Sequence, residues 1–261
     1  MNLIIDIGNT RTKAALFREQ GLLIKEYWET PTIAALEKLI YNQTVENVIL
    51  SSTANVPIAF EKWLKEKFSY IRLETNTPLP ITIEYKTPET LGKDRIAAAV
   101  GADCLFPNEH ALIIDAGTCI TLDVITAEGA YLGGNISPGV TMRLQAMHHF
   151  TEKLPLLERS RESGGSSQGT RKTGIDLLGD STESAMLNGA ELGALLEITS
   201  FMEKCRRRFR PLRVIFTGGD ADFFVNKIKT KIFANPNLVL IGLNKILQYN
   251  VRQLRQGKSK K

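Results

Sequence analysis

The chain has little cysteine, little tryptophan and no long apolar run. Its three cysteines, Cys104, Cys119 and Cys205, are scattered, and none stands in a CxxC pair. Neither a disulfide framework nor a zinc site is supported, and a reduced, cytoplasmic setting fits. No apolar stretch approaches the ~18 residues that a membrane span needs. The chain opens straight into a strand pattern, without a basic region or cleavage site ahead of it, so no signal peptide and no membrane attachment are expected. There is no GxxxxGK[ST], which argues against a P-loop kinase. Gly129 to Gly134 lacks GxGxxG spacing, which argues against a Rossmann dinucleotide site. His148 and His149 are adjacent on a predicted helix, about 100° apart, and cannot jointly hold one metal. Acidic excess is also missing: the net charge is +5. Part of that is Arg206-Arg207-Arg208 with Arg210 and Arg213, and part is Lys258, Lys260 and Lys261. With no aromatic interleaving and no reader motif, nucleic acid is not expected as a partner. The basic balance suits anionic small substrates.

What is present is a stretch that occurs twice. Leu3-Ile4-Ile5-Asp6-Ile7-Gly8-Asn9-Thr10 runs three apolar residues into a carboxylate and then a polar turn. Alone, it reads equally as a solvent-facing hairpin or as a phosphate-holding turn. In the second reading Gly8 admits a ligand to the backbone and Asp6 sits near a metal ion. Leu112-Ile113-Ile114-Asp115-Ala116-Gly117-Thr118 repeats it almost letter for letter. Each copy is followed by two further β-rich runs: Thr12 to Phe17 and Leu22 to Trp28 in the first, Ile120 to Thr126 and Ala130 to Ile136 in the second. The two copies lie about a hundred residues apart, which indicates a duplicated domain rather than a solenoid.

Between the copies the pattern is strand and helix in alternation. Helices are predicted over Thr32 to Tyr41, Pro57 to Phe68 and Leu91 to Leu105, with strands at Asn47 to Ser52, Ile71 to Leu73 and Ile81 to Tyr85. This is an α/β unit on a mixed sheet. The second half continues with helices over Thr141 to Phe150 and Thr182 to Phe209 and a strand over Arg213 to Thr217. A helix over Asp222 to Phe233, a strand over Leu238 to Ile241 and a last helix over Leu243 to Leu254 complete it. Glu158 to Gly174, rich in Ser, Gly, Arg and Lys, has no periodicity and reads as a loop that could act as a mobile lid.

Two Asp–Gly–Thr turns facing each other across a cleft could clamp a nucleotide and Mg²⁺ without a P-loop. Gly92-Lys93-Asp94-Arg95 opens the Ala-rich helix. Asp94 is either a helix-start carboxylate favoured by the dipole or the base that takes a proton from an attacking hydroxyl. Arg95 would fork onto an anionic oxygen. Gly134-Asn135-Ile136-Ser137-Pro138-Gly139 is either turn chemistry or the wall of a substrate pocket. Gly218 and Gly219 end a strand, where bare backbone could pack on an adenine ring or simply turn.

Together these residues resemble the type III pantothenate kinases, a branch of the acetate and sugar kinase/Hsp70/actin superfamily. The match runs in order along nearly the whole chain: Asp6 to Thr10 with Lys13, Gly92 to Arg95, Asp115 to Thr118, Gly134 to Gly139, Ser181 to Met186, and Thr217 to Gly219. The GxDR and G-x-I-x-P-G elements point to this family; the two Asp–Gly turns are shared by the superfamily. Cys119 stands where a small residue such as Ala is expected, and the Ser/Gly-rich loop is long for the family.

The resemblance implies two tandem RNase H-like, actin-like ATPase domains, each a mixed five-stranded sheet flanked by helices. They would span residues 1–108 and 109–256, with 257–261 a disordered basic tail. It implies ATP-dependent phosphorylation of pantothenate to 4′-phosphopantothenate, the first step of coenzyme A biosynthesis, with Asp94 as general base. Asp6, Ile7, Gly8, Asn9, Thr10, Arg11, Thr12, Lys13 and Thr118, with Gly218 and Gly219, would bind ATP, and Asp6 would lie near Mg²⁺. Asp115 would bind K⁺ or NH₄⁺. Tyr85, Gly92, Lys93, Asp94, Arg95 and Thr182 would bind pantothenate. The family's homodimer would bring the helix after Pro138 against a partner. Two other readings stay open: a kinase for another small hydroxyl substrate on the same fold, and a non-catalytic nucleotide-binding regulator, against which the presence of Asp94 and Arg95 argues. An actin- or Hsp70-like ATPase is disfavoured, because the chain is short and lacks a substrate domain.

Overall fold

The computed structural model describes residues 1–8, 10–158 and 177–258. Asn9 and most of the Ser/Gly-rich loop, at 159–176, lie outside the described residues, and the lid expectation falls there.

The duplication is real in three dimensions. β1 (Asn2–Ile7), β2 (Thr12–Arg18) and β3 (Gly21–Trp28) form an antiparallel meander, and β4 (Asn47–Ser52) and β5 (Ser69–Arg72) add on the other side of β1 in parallel. The order is β3-β2-β1-β4-β5. Two helices, α1 (Ile33–Leu39) and α2 (Ile58–Lys67), cover one face. β6 (Thr82–Ile83) and α3 (Lys93–Leu105) lead into the second half. There β7 (His110–Ala116), β8 (Cys119–Ile125) and β9 (Ala130–Pro138) repeat the meander. They are followed by α4 (Val140–His149), α5 (Thr182–Arg208), β10 (Leu212–Thr217), α6 (Ala221–Val225), β11 (Phe233–Ala234) and α7 (Leu238–Lys258). β10 takes the place beside β7 that β4 takes beside β1, again in parallel.

The second sheet carries a sixth strand. Its order is β11-β10-β7-β8-β9-β6, because Thr82–Ile83 pairs with Ala130 and Tyr131. A strand from before the second Asp–Gly turn thus finishes the second sheet.

Period-two burial builds five layers. Leu3 and Ile5 face α1 and α2, whereas Ile4, Ala15 and Phe17 face inward. Leu112 and Ile114 face α4, α5 and α6, whereas Ala111 and Ile113 face inward. Between the two sheets lie α3 and α7, whose Ile96 to Val100 and Leu238 to Leu247 meet both inner faces. Because both neighbours are apolar, α3 is buried almost all round from Arg95 to Ala102, as an Ala-rich helix between two layers must be.

Two expectations fail at the C-terminus. Leu238 to Ile241 is the start of α7 and not a strand. Four apolar residues ahead of a glycine cannot be told from a short buried strand by pattern alone. Gly242 does not break the helix; a Cβ there would stand 1.7 Å from the Ala97 carbonyl oxygen, so it marks where α7 crosses α3. The helix expected over Asp222 to Phe233 stops at Val225, and β11 forms at Phe233. The intervening Lys-Ile-Lys-Thr-Lys-Ile alternation is poor helix-face material.

Candidate active site

The carboxyl ends of β1 and β7 lie together, where open α/β sheets place their ligands. Each strand runs into a closed turn. Gly8 N–H donates to Arg11 O at 3.1 Å, and Gly117 N–H donates to Cys119 O at 3.0 Å. The turns face each other: Thr10 Oγ1 lies 3.5 Å from Thr118 Oγ1 across 108 residues of sequence. The echo in the sequence is therefore a two-sided clamp in space.

Asp6 and Asp115 end the two strands. Register places Lys13 directly opposite Asp6. Burial pushes the Asp6 carboxyl up to about 6; the Lys13 charge opposes this and Asp94 adds to it. Burial likewise pushes Asp115 up to about 6, against Lys13 and with the charges of Asp94, Asp6 and Asp123. Asp6 and Asp115 thus share one lysine, with Asp94 within electrostatic reach of both. Ser51, the β4 register neighbour of Asp6, lowers its carboxyl pKa through a side-chain hydrogen bond.

This donor set suits a hard divalent cation. Mg²⁺ is held by one or two carboxylates with phosphate oxygens and water, rather than by a full protein cage. No cluster of three His, Cys, Asp or Glu of metal-binding type occurs among the described residues, which is compatible with that mode.

Glycines let the surrounding backbone close on the second turn. A Cβ at Gly218, where φ is +96°, would stand 2.4 Å from Asp115 Oδ1 and 2.2 Å from Ala116 O. Asp220 N–H donates to Ala116 O at 2.9 Å, fixing the loop after β10 against the turn. Gly139 donates its N–H to Thr118 O at 3.0 Å, and a Cβ there would strike Gly117 O. The last glycine of G-x-I-x-P-G is thus part of the floor. A Cβ at Gly219 would approach Arg11 Nη2 at 3.6 Å, so Arg11, stacked at 4.7 Å over Tyr27, borders the same opening.

The start of α3 supplies the third wall. Asp94 Oδ1 accepts from the Arg95 N–H at 2.9 Å. A Cβ at Gly92 would lie 2.6 Å from Asp94 Oδ1, which gives the glycine of GxDR a physical reason. Lys93 reaches back to Thr75 Oγ1 at 3.1 Å. The Arg95 fork is found on Asp123 of β8, with Nη2 to Oδ1 at 2.5 Å and Nε 3.1 Å from each carboxylate oxygen. Tyr131 Oη donates to the same Oδ1 at 2.7 Å. Tyr85 packs over Arg95, with its ring 5.8 Å from Cζ. Reading the sequence missed Asp123 and Tyr131. The one trace in the sequence is a lone carboxylate in Ile120-Thr121-Leu122-Asp123-Val124-Ile125; its partner, 28 residues away on another element, cannot be read from it.

Thr182 stands apart. It lies exposed in the first turn of α5, behind the Ser181–Ser184 capping box, and no hydrogen bond among the described residues ties it to the turns. A separate groove of about 390 Å³, lined by Met1, Arg18, Glu46, Gln248 and Arg252 among others, lies at the opposite end of β1 from Asp6. It has neither glycine turns nor an acid–lysine set.

Two mixed sheets of matching topology, each ending in an Asp–Gly–Thr turn at a shared cleft, define the actin-like ATPase and sugar-kinase class of fold. The model of the type III pantothenate kinase family matches residues 2–204. Type III pantothenate kinases of Christiangramia forsetii and Phocaeicola vulgatus are 41% and 40% identical to this chain; they cover 97% and 96% of it, over 100% and 99% of their own lengths. The chain belongs to the type III pantothenate kinase family. Among solved structures, a Baf-family protein of Campylobacter jejuni superimposes with a TM-score of 0.59 at 22% identity, covering 96% of this chain and 99% of its own. The activator of 2-hydroxyisocaproyl-CoA dehydratase from Clostridium difficile, with bound ADPNP, gives 0.55 at 14% identity, covering 100% and 97%. These two likenesses speak to the fold.

Proposed function

We propose that the cleft between the two turns carries out ATP-dependent phosphorylation of pantothenate at its primary hydroxyl, giving 4′-phosphopantothenate on the way to coenzyme A. The family membership supports the substrates. The observation that carries the assignment to this cleft is the meeting of Asp94 with Asp6 and Asp115: a candidate base stands within electrostatic reach of the floor that would hold phosphates.

In this reading the Gly8–Arg11 and Gly117–Cys119 turns, with Thr10, Thr118 and Lys13, hold the phosphate chain of ATP from both sides. Arg11 and the bare backbone of Gly218 and Gly219 border the base. Asp6 would lie near the divalent ion, which would supply charge neutralisation to the phosphate chain. Asp94 accepts the proton of the pantothenate hydroxyl as its oxygen attacks phosphorus, and Tyr85, Gly92 and Lys93 flank that acceptor. A monovalent cation, K⁺ or NH₄⁺, at Asp115 would offset the crowding of carboxylates around one lysine. Equal turnover in Na⁺-only and K⁺ buffers would remove that role. The protein works in the cytoplasm as a homodimer; Ile136, Phe150 and Leu196, exposed on β9, α4 and α5, offer the apolar surface.

The deciding experiment is a coupled ATP assay with and without pantothenate, repeated with a panel of other small alcohols. Pantothenate should accelerate ATP turnover and the other alcohols should not. Slow turnover that pantothenate leaves unchanged would overturn the reading, and a faster alcohol would reassign the acceptor.

A further inference from the structure

The buried ion pair beside the candidate base has a use that stability does not explain. Arg95 is 6% exposed and Asp123 is 1% exposed. Taking two charges from water is costly, and a well-packed apolar pair often serves a core equally well. Here the charges are kept, and the carboxylate is saturated. Nε and Nη2 of Arg95 and the Tyr131 hydroxyl all bond to it. Burial, and then the Asp123 charge, push the Tyr131 phenol above its ordinary range, so Tyr131 stays a donor. Gly134 on the facing strand is required for this packing, since a Cβ there would lie 2.6 Å from Asp123 Oδ1 and 1.9 Å from Leu122 O. Three residues on two strands, Asp123 of β8 with Tyr131 and Gly134 of β9, therefore fix one rotamer of one arginine.

That arginine follows Asp94 directly, and its N–H bonds the Asp94 carboxylate. The fork uses Nε and Nη2 and leaves Nη1 outside it, on a guanidinium that Tyr85 both overlies and supports with a side-chain hydrogen bond. The pair is also neutral overall, so Arg95 can hydrogen-bond an acceptor molecule but not attract it as a free cation would.

We infer that Asp123 is a positioning residue: with Tyr131 and Gly134 it locks Arg95 so that its Nη1 edge and the adjacent Asp94 present a fixed, charge-balanced face to the acceptor, selecting pantothenate by hydrogen-bond geometry. This rests on the reading of the cleft as a pantothenate kinase site. The phosphate turns, Asp6 to Lys13 and Thr118, are not part of the lock, which reaches the floor only through the Asp123 charge on Asp115. Tyr131→Phe keeps that charge, so its effect falls on the acceptor alone.

The test is Asp123→Asn, which keeps the shape and one acceptor oxygen but loses the second oxygen and the charge. KM for pantothenate should rise tenfold or more, with KM for ATP within twofold of wild type. Tyr131→Phe removes only the supporting hydroxyl and should raise KM for pantothenate about threefold, again without an ATP effect. A merely structural role would lower the amount of active enzyme, and so apparent kcat, without splitting the two KM values. Unchanged pantothenate KM in a folded Asp123→Asn, or equal losses for both substrates, overturns the inference. Should Asp123→Asn not fold, Tyr131→Phe decides by the same split. A wild type without pantothenate-dependent turnover removes the underlying reading and the inference with it; a wild type that turns over beside an unaltered variant removes the inference alone.

Discussion

At the scale of single residues, the cleft trades stability for chemistry. Removing the Asp94 carboxylate as Asp94→Asn should lower kcat by about 10²–10⁴-fold, the range typical of a general base, while an ATP-analogue titration returns wild-type affinity. Near-normal turnover would show that the proton goes elsewhere. Asp6 makes the opposite kind of prediction. Its carboxyl titrates near 6 in the folded chain against a reference of 3.8. Between these values the folded state holds a proton that the unfolded state has shed, so stability without ligands falls as pH rises from about 4 to 6 and stays reduced above. Asp6→Asn should therefore melt higher than wild type at pH 7.5, by up to about 3 kcal/mol, and match it near pH 4, while losing activity. A lower melting temperature at pH 7.5 would show that the burial penalty is absent. Asp6, Asp115, Gly92 and Asp94 were legible in the sequence because motif spacing marks them. Asp123 was not, because its meaning depends on a partner 28 residues away on another element.

At the scale of elements, the meanders were legible because apolar alternation, a polar turn and their near-verbatim repeat agree with one another. α7 was misread at its first turn for a reason of packing. Gly242 and Gly101 lie where α3 and α7 touch backbone to backbone: a Cβ on Gly101 would stand 2.3 Å from Leu238 O. A glycine chosen for proximity has the same letter as one chosen for a break. Gly242→Ala should thus cost about 1–3 kcal/mol or more, as overpacking does, despite alanine's better helix propensity. Gly189→Ala on α5 is the control: nothing lies within 4 Å of its would-be Cβ, and the substitution should stabilise by about 0.5–1 kcal/mol. Urea melts of the two variants check both signs, and a stabilised Gly242→Ala would refute the close crossing.

At the scale of the whole molecule, the proposed homodimer would cover exposed apolar residues of β9, the end of α4 and α5. Phe150 is 80% exposed and Ile136 is 61% exposed. Sedimentation should return twice the chain mass of 29.0 kDa, and Phe150→Asp should shift it toward a single chain; a wild-type monomer would rule out the assembly. The layered plan has a different consequence for how the protein is made. The inner face of the first sheet, with Ile4, Ala15 and Phe17, is closed by Leu238 to Leu247 of α7, and the second sheet is finished at its edge by β6 from the first half. A ribosome synthesises β1 more than 200 residues ahead of α7. The strands of the first sheet must wait, partly uncovered, until that helix emerges, so nascent chains stalled before α7 should stay bound to chaperones until it clears the exit tunnel.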